Sequence, residues 1–295
     1  MSRIRSTEDR VIDILAIIIV AIAAICCLYP VVYCASMSFS DDDAILKSSV
    51  RLLPKGFNLE SYQKVLADPT FLISFKNAVI QTILATLSSL FYNLAFGYVL
   101  MRHGFFHNAL TKFMLVPMMF GGGLIPSFLL IKSLGLYNTI WSLIIPAASF
   151  WNAILARTFF QSTIPQDVIE SAVIDGANEF QIFLKIVLPL STTIIAILAL
   201  YAAVGRWNDY FGPLIYLRDE TLQPLQLYLK DILSTSATQK NMSSMLETDN
   251  YVKNFVNAER IKYVLIIVSC LPIMVVYPFI QKYFVKGVML GSVKG

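Results

Sequence analysis

The sequence is dominated by apolar runs that are long enough to cross a lipid bilayer. A membrane-spanning helix needs about 20 mostly apolar residues to cross roughly 30 Å of hydrocarbon. Six runs meet this requirement, at about residues 13–38, 72–101, 112–131, 138–160, 190–217 and 262–281. The chain is therefore predicted to be an all-α integral membrane protein with six transmembrane helices.

The composition excludes most other classes of protein. Hydrophobic residues make up 57% of the 295 positions and charged residues only 14%, whereas a soluble chain carries about 25% charged residues. A chain with this composition would expose a large apolar surface to water, which excludes an aqueous globular enzyme. The four cysteines lie in apolar runs without metal-ligand spacing, so no metal site is predicted. The modest net charge of +4 argues against a nucleic-acid surface.

The organisation of the chain is simple. The first apolar run is too long for a signal-peptide core and lacks a small-residue cleavage site, so it is interpreted as an uncleaved helix. With no internal repeat and no sizeable soluble segment, residues 1–295 are predicted to form a single membrane domain. Six spans place both termini on one side. Lys and Arg divide almost evenly between the two sides, so the positive-inside rule does not decide the orientation.

Two of the polar connections are long. Residues 39–71 end in a predicted short amphipathic helix that Asn58 caps and that Asp68 and Pro69 terminate. Residues 218–261 are predicted to form a polar loop rich in Ser, Thr and Asn.

The connection between the fourth and fifth spans, residues 161–189, is the most informative part of the sequence. Pro165 suits the first position of a helix, and Asp167 and Glu170 place negative charge near the positive end of its dipole. Gly176 follows where the C-terminus of a helix favours a positive φ angle. The pattern predicts a short amphipathic helix that a glycine turn ends.

A second amphipathic helix is predicted directly after this turn. Asn178 and Gln181 have the spacing of a capping box, and Pro189 ends the helix before the fifth span. Two interpretations of the helix pair remain open on composition alone. The pair lies at the membrane surface and merely connects spans, or its polar face docks a partner protein.

The residues of this connection resemble the EAA loop of ABC importer permeases. The resemblance rests on Glu170-Ser171-Ala172, Asp175-Gly176-Ala177 and Ile186-Val187-Leu188-Pro189. More narrowly, the chain resembles the MalG-like sugar permeases, including the LplC/YtcP-type subfamily of oligosaccharide importers. Further similar segments lie at residues 57–62, 77–78, 124–126, 134–136, 207–214 and 282–295. Ser171 stands where the motif's name has a second alanine, and its small side chain still allows close helix approach.

The resemblance implies a type I ABC importer permease fold, in the bacterial plasma membrane, with its core at about residues 72–281. Both termini and the EAA loop, residues 161–189, are then cytoplasmic. The first helix of the loop acts as a coupling helix in a cleft of the ATPase. The coupling residues are Glu170, Ser171, Ala172, Asp175 and Gly176. The tail at residues 291–295 is implied to reach the interface between the two ATPase subunits.

The resemblance also implies the partners of the chain. They are a homologous second permease subunit, two ATPase subunits, an extracytoplasmic solute-binding protein and a carbohydrate substrate. The chain lacks a Walker A pattern, so we expect ATP and Mg²⁺ in the ATPase subunits and no cofactor here. Gly121-Gly122-Gly123 predicts close helix packing or a bend.

Residues of the fifth span are candidates for the solute path. Arg206 and Asp209 are charged groups inside a predicted span, where charge faces a cavity or a partner charge. Their spacing also permits a mutual ion pair, so a structural role stays open. Trp207 and Tyr210 offer ring faces, and Asn208 an amide, for a sugar. The resemblance adds that in some such importers the partner permease makes most solute contacts.

The sequence therefore predicts a transport subunit and no catalytic residues. We interpret it as the permease of an ATP-driven, binding-protein-dependent importer of a sugar, with an oligosaccharide favoured. An ABC permease for a polyamine or phosphate shares the EAA loop and remains an alternative. An ion-coupled transporter or channel would need more intramembrane carboxylates or paired broken helices. A membrane enzyme would need a nucleophile–base pair or a metal constellation, which the sequence does not offer.

Overall fold

The computed structural model describes residues 7–47, 49–102, 107–243, 259–278 and 281. These residues form helices and turns without a β-strand, which confirms the all-helical prediction for this part of the chain. Two compact units are present, one of residues 1–69 and 231–271 and the other of residues 70–230 and 272–295. The predicted tail segment at residues 282–295 lies outside the described residues.

The helices are numbered in chain order. They are α1 Thr7–Phe39, α2 Asp42–Leu46, α3 Glu60–Ala67, α4 Pro69–Met101, α5 His107–Met119, α6 Leu124–Ser133, α7 Trp141–Ile144, α8 Phe150–Thr163, α9 Gln166–Ile174, α10 Glu179–Ile182, α11 Leu188–Leu190, α12 Thr192–Trp207, α13 Phe211–Tyr216, α14 Leu225–Ser243 and α15 Glu259–Pro278. A π-helical segment, Phe183–Val187, joins α10 to α11.

Four helical segments of the described residues are long and apolar enough to cross a membrane. They are Val11–Phe39, Pro69–Met101, Trp141–Thr163 and Glu259–Pro278. A fifth candidate is a helix pair, Glu179–Leu190 and Thr192–Trp207, which is bent by 84°. The described chain thus supplies four or five candidate spans where the sequence predicts six.

The predicted third span, residues 112–131, differs most from the structure. It consists of two short helices, α5 and α6, which are separated at Gly121-Gly122-Gly123. Gly123 has a φ angle of +83°, which an L side chain rarely adopts. The glycine triplet therefore interrupts the helix, in agreement with the predicted bend.

The predicted fifth span, residues 190–217, is also interrupted. Helix α12 ends at Trp207, where the Asn208 amide donates to the backbone oxygen of Val204 at 3.0 Å. The Asp209 carboxylate then accepts from the backbone N–H of Gly212 at 2.9 Å. This bond satisfies a free donor in the first turn of α13. These local side-chain bonds explain the break.

Polar side chains on α4 satisfy the backbone where the fourth span breaks. Pro146 leaves helical geometry, which frees backbone groups on both sides of it. The hydroxyl of Ser88 donates to the backbone oxygen of Ile144 at 3.0 Å. The amide oxygen of Asn93 accepts from the backbone N–H of Ser149 at 3.0 Å. An unsatisfied group would cost several kcal/mol in hydrocarbon, on the order of 2–7.

The N-terminal half of α4 holds the segment after α13 in the same way. The Asn77 amide donates to the backbone oxygens of Thr221 and Gln223 at 2.7 and 3.2 Å. The Gln81 amide donates to the backbone oxygen of Leu222 at 2.9 Å. The predicted polar loop of residues 218–261 is wrong in part, because residues 225–243 form α14. Leu225 and Leu229 are buried at the i, i+4 spacing of one helix face, and Leu227 between them is buried as well.

In the first unit, a buried arginine joins three helices. Arg260 of α15 is 0% exposed. Its Nη1 lies 2.9 Å from the Asp42 carboxylate of α2, and its Nε donates to the Ser61 hydroxyl of α3 at 2.5 Å. Glu60 contributes a second carboxylate at 3.9 Å. A hydrogen bond from Lys64, with the nearby charge of Arg260, lowers the pKa of Glu60 below its ordinary value.

The short helix α3 confirms the amphipathic helix that the sequence predicts here. The predicted cap is wrong by one position, because Leu59 and not Asn58 occupies the N-cap. The Asn58 side chain still accepts from the backbone N–H of Glu60 at 2.7 Å. The helix ends at Ala67, and Asp68 follows as its C-cap.

Gly97 lets α4 and α8 pack at very short range in the second unit. A Cβ atom on Gly97 would lie 2.6 Å from the Cβ of Ala156 and 3.1 Å from the backbone oxygen of Ala153. Both alanines are 0% exposed. Small residues at such a crossing allow the two backbones to approach.

We expect Gly97→Ala to destabilise the protein because its methyl group has no space. Overpacking of this kind costs about 1–3 kcal/mol. Gly205→Ala is the matched control, since Gly205 is also helical and has nothing within 4 Å of a built Cβ. It should leave stability equal or raise it by up to about 1 kcal/mol. Thermal unfolding in detergent measures both, and equal midpoints would contradict the close contact.

Candidate functional site

The connection between α8 and α12 folds into two helices joined at Gly176, as predicted. Helix α9 starts at Gln166, so Pro165 occupies the N-cap and not the first helical position. Gly176 has a φ angle of +80°. Its N–H donates to the backbone oxygen of Val173, and the Ala177 N–H donates to that of Ala172. These two bonds form a Schellman motif, in which glycine is the favoured residue.

The second helix of the connection begins with the predicted capping box. The backbone N–H of Gln181 donates to the Asn178 side chain at 2.9 Å, and the Gln181 side chain accepts from the Asn178 N–H at 3.0 Å. The helix does not stop at Pro189 as predicted. It continues through the π-helical segment to Leu190, and the 84° bend follows before α12.

Helix α9 touches the protein core through the buried Ile169 and the half-buried Ala172. Ile169 is 5% exposed and packs in the main hydrophobic cluster of the second unit. Apolar side chains elsewhere on the helix are open, with Val168 at 40%, Val173 at 49% and Ile174 at 85% exposure. The predicted polar face therefore carries exposed apolar residues as well. Such a mixed surface is typical of a site that another protein covers.

The predicted coupling residues lie together on this exposed surface. Glu170, Ser171, Asp175 and Gly176 are exposed, and Ala172 is half-buried. Glu170 accepts a hydrogen bond from the Gln166 amide at 3.1 Å. The Ser171 hydroxyl donates within its own helix, to the backbone oxygen of residue 167. The Glu170 carboxylate keeps spare acceptor capacity for a partner, as does the exposed carboxylate of Asp175.

An ion pair that the sequence analysis missed holds this loop to the end of α4. Glu179 lies in the first turn of α10 and pairs with Arg102 at 2.5 Å. It also accepts a hydrogen bond from the Tyr98 hydroxyl. Glu179 and Arg102 are 77 residues apart in the sequence. No local pattern links residues so far apart.

We expect the pair of Arg102 and Glu179 to stabilise α10 in a measurable way. The two side chains are 34% and 59% exposed, so solvent screening limits their coupling energy to about 1 kcal/mol or less. Charge reversal at Glu179 should raise hydrogen exchange across residues 176–182. The exchanged pair Arg102→Glu with Glu179→Arg should restore the part of the protection that the ion pair supplies, while the hydrogen bond from Tyr98 stays lost. Lys185→Ala is the control. Failure of the double variant to restore protection would argue against the pair.

The predicted solute-path residues do not share one environment. Trp207 is 6% exposed and packs edge to face against Phe75, with ring centroids 6.0 Å apart. The Asn208 amide is hydrogen-bonded within α12, and Tyr210 is 47% exposed. The structure therefore gives Trp207 a packing role in this conformation. Its contact with solute stays a prediction.

Arg206 and Asp209 form the ion pair that their spacing permits. Their Nη1 and Oδ2 atoms are 3.1 Å apart. Both residues line a cavity of about 290 Å³ in the second unit, where five of the eleven lining residues are polar and six are apolar. We call it the polar cavity. Trp207 borders a different, apolar cavity of about 360 Å³. No group of three or more His, Cys, Asp or Glu that could hold a metal ion is present in the described part of the chain.

Comparison with known sequences identifies the family of this chain. A family described as "Binding-protein-dependent transport system inner membrane component" matches residues 81–290. The chain belongs to this family. The matched range contains the α9–α10 connection, the break after α12 and the polar cavity.

Individual relatives cover nearly the whole of this inner membrane component. "Protein LplC" of Bacillus subtilis (strain 168) is 38% identical over 290 residues, 97% of this chain and 96% of that protein. The "Polygalacturonan/rhamnogalacturonan transport system permease protein YtcP" of the same organism is 36% identical over 98% of this chain and 100% of its own length. These matches confirm the resemblance to the LplC/YtcP-type permeases.

A solved structure supports the fold of this inner membrane component. It is the crystal structure of a bacterial ABC transporter involved in the import of the acidic polysaccharide alginate. The TM-score is 0.84 at 31% identity, over 96% of this chain and 100% of that chain. The described helices therefore have an ABC permease fold.

Proposed function

We propose that this protein is the permease subunit of an ATP-driven, binding-protein-dependent importer of a sugar, with an oligosaccharide as cargo. The proposal rests on similarity to transport system permeases for polygalacturonan/rhamnogalacturonan, with 36% identity over 98% of this chain, and for arabinooligosaccharides, with 28% identity over 85% of this chain. The alginate importer, with 31% identity, supports the same class of cargo. The proposed partners are a homologous second permease, two ATPase subunits and a solute-binding protein.

The proposed topology has six crossings in a single domain of the bacterial plasma membrane. Helices α5 and α6 together make the third crossing, interrupted at the glycine triplet, and α12 makes the fifth. A broken helix is tolerated inside a bundle because neighbouring polar groups satisfy its backbone. Both termini and the α9–α10 connection are cytoplasmic in this proposal. The core of the fold covers about residues 72–281.

Helix α9 is the proposed contact with the ATPase. Its exposed residues Val173 and Ile174, beside the Glu170 carboxylate, offer an apolar surface with a charged group. ATP and Mg²⁺ bind to the ATPase subunits in this proposal, and closure of those subunits moves α9. The movement shifts the bundle between an inward-open and an outward-open state. ATP and solute each bind one of these states more tightly, and this difference in affinity sets the populations of the two states.

Transport in a defined system tests the proposed function. The complex is reconstituted in proteoliposomes with its binding protein, and uptake of labelled oligosaccharides is measured with internal ATP but without an ion gradient. We expect sugar uptake that stops when ATP is replaced by a non-hydrolysable analogue. Uptake that instead needs an ion gradient would contradict the proposal. Uptake of spermidine or phosphate, without uptake of any oligosaccharide, would show that the proposed cargo is wrong.

The α9 contact makes a separate prediction. Glu170→Lys places a positive charge in the docking surface where a carboxylate stood, and Gly176→Val forces a β-branched residue to a positive φ angle. We expect both variants to insert in the membrane but to lose most ATPase association, measured by co-purification. Gly176→Asn is the matched control, because Asn tolerates the left-handed region better. It should retain more association than Gly176→Val.

Normal co-purification of both Glu170→Lys and Gly176→Val, with solute-stimulated ATP hydrolysis at the unaltered rate, would contradict the assignment of α9.

A further inference from the structure

A polar cavity in the second unit lies beside the break between α7 and α8. Its volume is about 290 Å³, and helices α4 and α12 supply the other walls. The polar lining residues are Ser89, Asn152, Tyr201, Arg206 and Asp209. Ligand pockets for drug-sized molecules span about 300–1,000 Å³. This cavity lies at the small end and suits a single sugar ring.

Arg206 is incompletely satisfied in this cavity. Its side chain is only 9% exposed, and Nη1 pairs with Asp209. The second terminal nitrogen, Nη2, is buried and has no hydrogen-bond partner among the residues that the structure describes. A buried charged donor without an acceptor carries a desolvation penalty. An oxygen atom of a bound solute would remove that penalty.

Asp209 supplies the complementary acceptor next to this donor. One carboxylate oxygen accepts from the Gly212 N–H at 2.9 Å, and the other pairs with Arg206. A carboxylate has about four lone-pair sites, so acceptor capacity remains. The Asp209 side chain is 31% exposed, which leaves it accessible. The pair thus presents an N–H donor and an oxygen acceptor side by side.

We propose that this cavity binds one uncharged sugar ring through two adjacent hydroxyl groups. Nη2 of Arg206 donates to one hydroxyl oxygen, and the neighbouring hydroxyl donates to Asp209. Ser89, Asn152 and Tyr201 offer further neutral hydrogen-bonding groups on the wall. This assignment rests on the proposed function, because it concerns the solute of the same importer.

Charge decides between a neutral sugar and a sugar acid. Arg206 and Asp209 together have no net charge, and the other polar lining residues are neutral. A uronate carboxylate would approach Asp209 as well as Arg206, and like charges at short range repel. The cavity therefore favours a ring with a hydroxymethyl group over one with a carboxylate.

Direct binding to the assembled complex tests the inference without the solute-binding protein. Saturation-transfer NMR is recorded with methyl galactoside and methyl glucoside, and with the corresponding galacturonate and glucuronate, which differ only at C6. We expect transfer to at least one neutral probe that exceeds transfer to its uronate. Arg206→Lys keeps the charge but replaces the two terminal nitrogens by one, which cannot stand at the positions of both Nη1 and Nη2. It should weaken binding of that neutral probe by about tenfold or more, the effect of losing one hydrogen bond to a charged group.

Arg157→Lys is the matched control for this substitution. Arg157 is half-buried in α8 and does not line the cavity. It should bind the neutral probe as the wild type does.

A second variant has an effect that a purely structural ion pair would not produce. Asp209→Asn leaves Arg206 uncompensated, so the ratio of uronate to neutral binding should rise at least about tenfold. If the Asp209→Asn variant does not assemble into the complex, the binding measured for Arg206→Lys is the deciding result. No binding of any neutral probe to the wild type, preference for a uronate, or equal binding by Arg206→Lys would overturn the cavity assignment. The proposed function itself would instead be refuted if the wild-type complex showed no ATP-driven sugar uptake.

Discussion

The structure depends on one constraint, which is that backbone groups freed by broken helices need partners where no water is available. Helix α4 meets this need. Its Ser88 and Asn93 side chains bond the backbone on either side of the Pro146 break, and Asn77 and Gln81 hold the segment after α13. These bonds allow irregular backbone to persist at fixed positions, and such backbone is tolerated in a membrane where it is buried or lines a cavity.

The same helix connects the two candidate sites. Ala85 and Ser89 of α4 line the polar cavity, and Tyr98 and Arg102 at its end hold Glu179 of the α9–α10 connection. Helix α4 is continuous over 33 residues. In the proposed mechanism, which uses two global states, one continuous helix would carry a displacement of the loop to the cavity.

The features that could be predicted from the sequence are those that depend on residues close together in the chain. The Schellman glycine at 176, the capping box at 178–181 and the apolar character of most spans each depend on residues within a few positions, and all were found. The pairing of Arg102 with Glu179 and the packing of Trp207 on Phe75 depend on residues far apart in the chain. The glycine triplet predicted the bend in the third span. The break in the fifth predicted span, after Trp207, lies in an apolar run, and a window that measures hydropathy does not register it.

The central claim is that α9 is the surface through which this chain meets an ATPase. A photo-crosslinking residue placed at Ile174, which is 85% exposed, tests it most directly in the assembled complex. The same label at Leu53, which is 77% exposed in the first unit, serves as the reference position. We predict an adduct with the ATPase subunit from position 174 and none from position 53. An ATPase adduct from position 53 with none from position 174 would contradict this account.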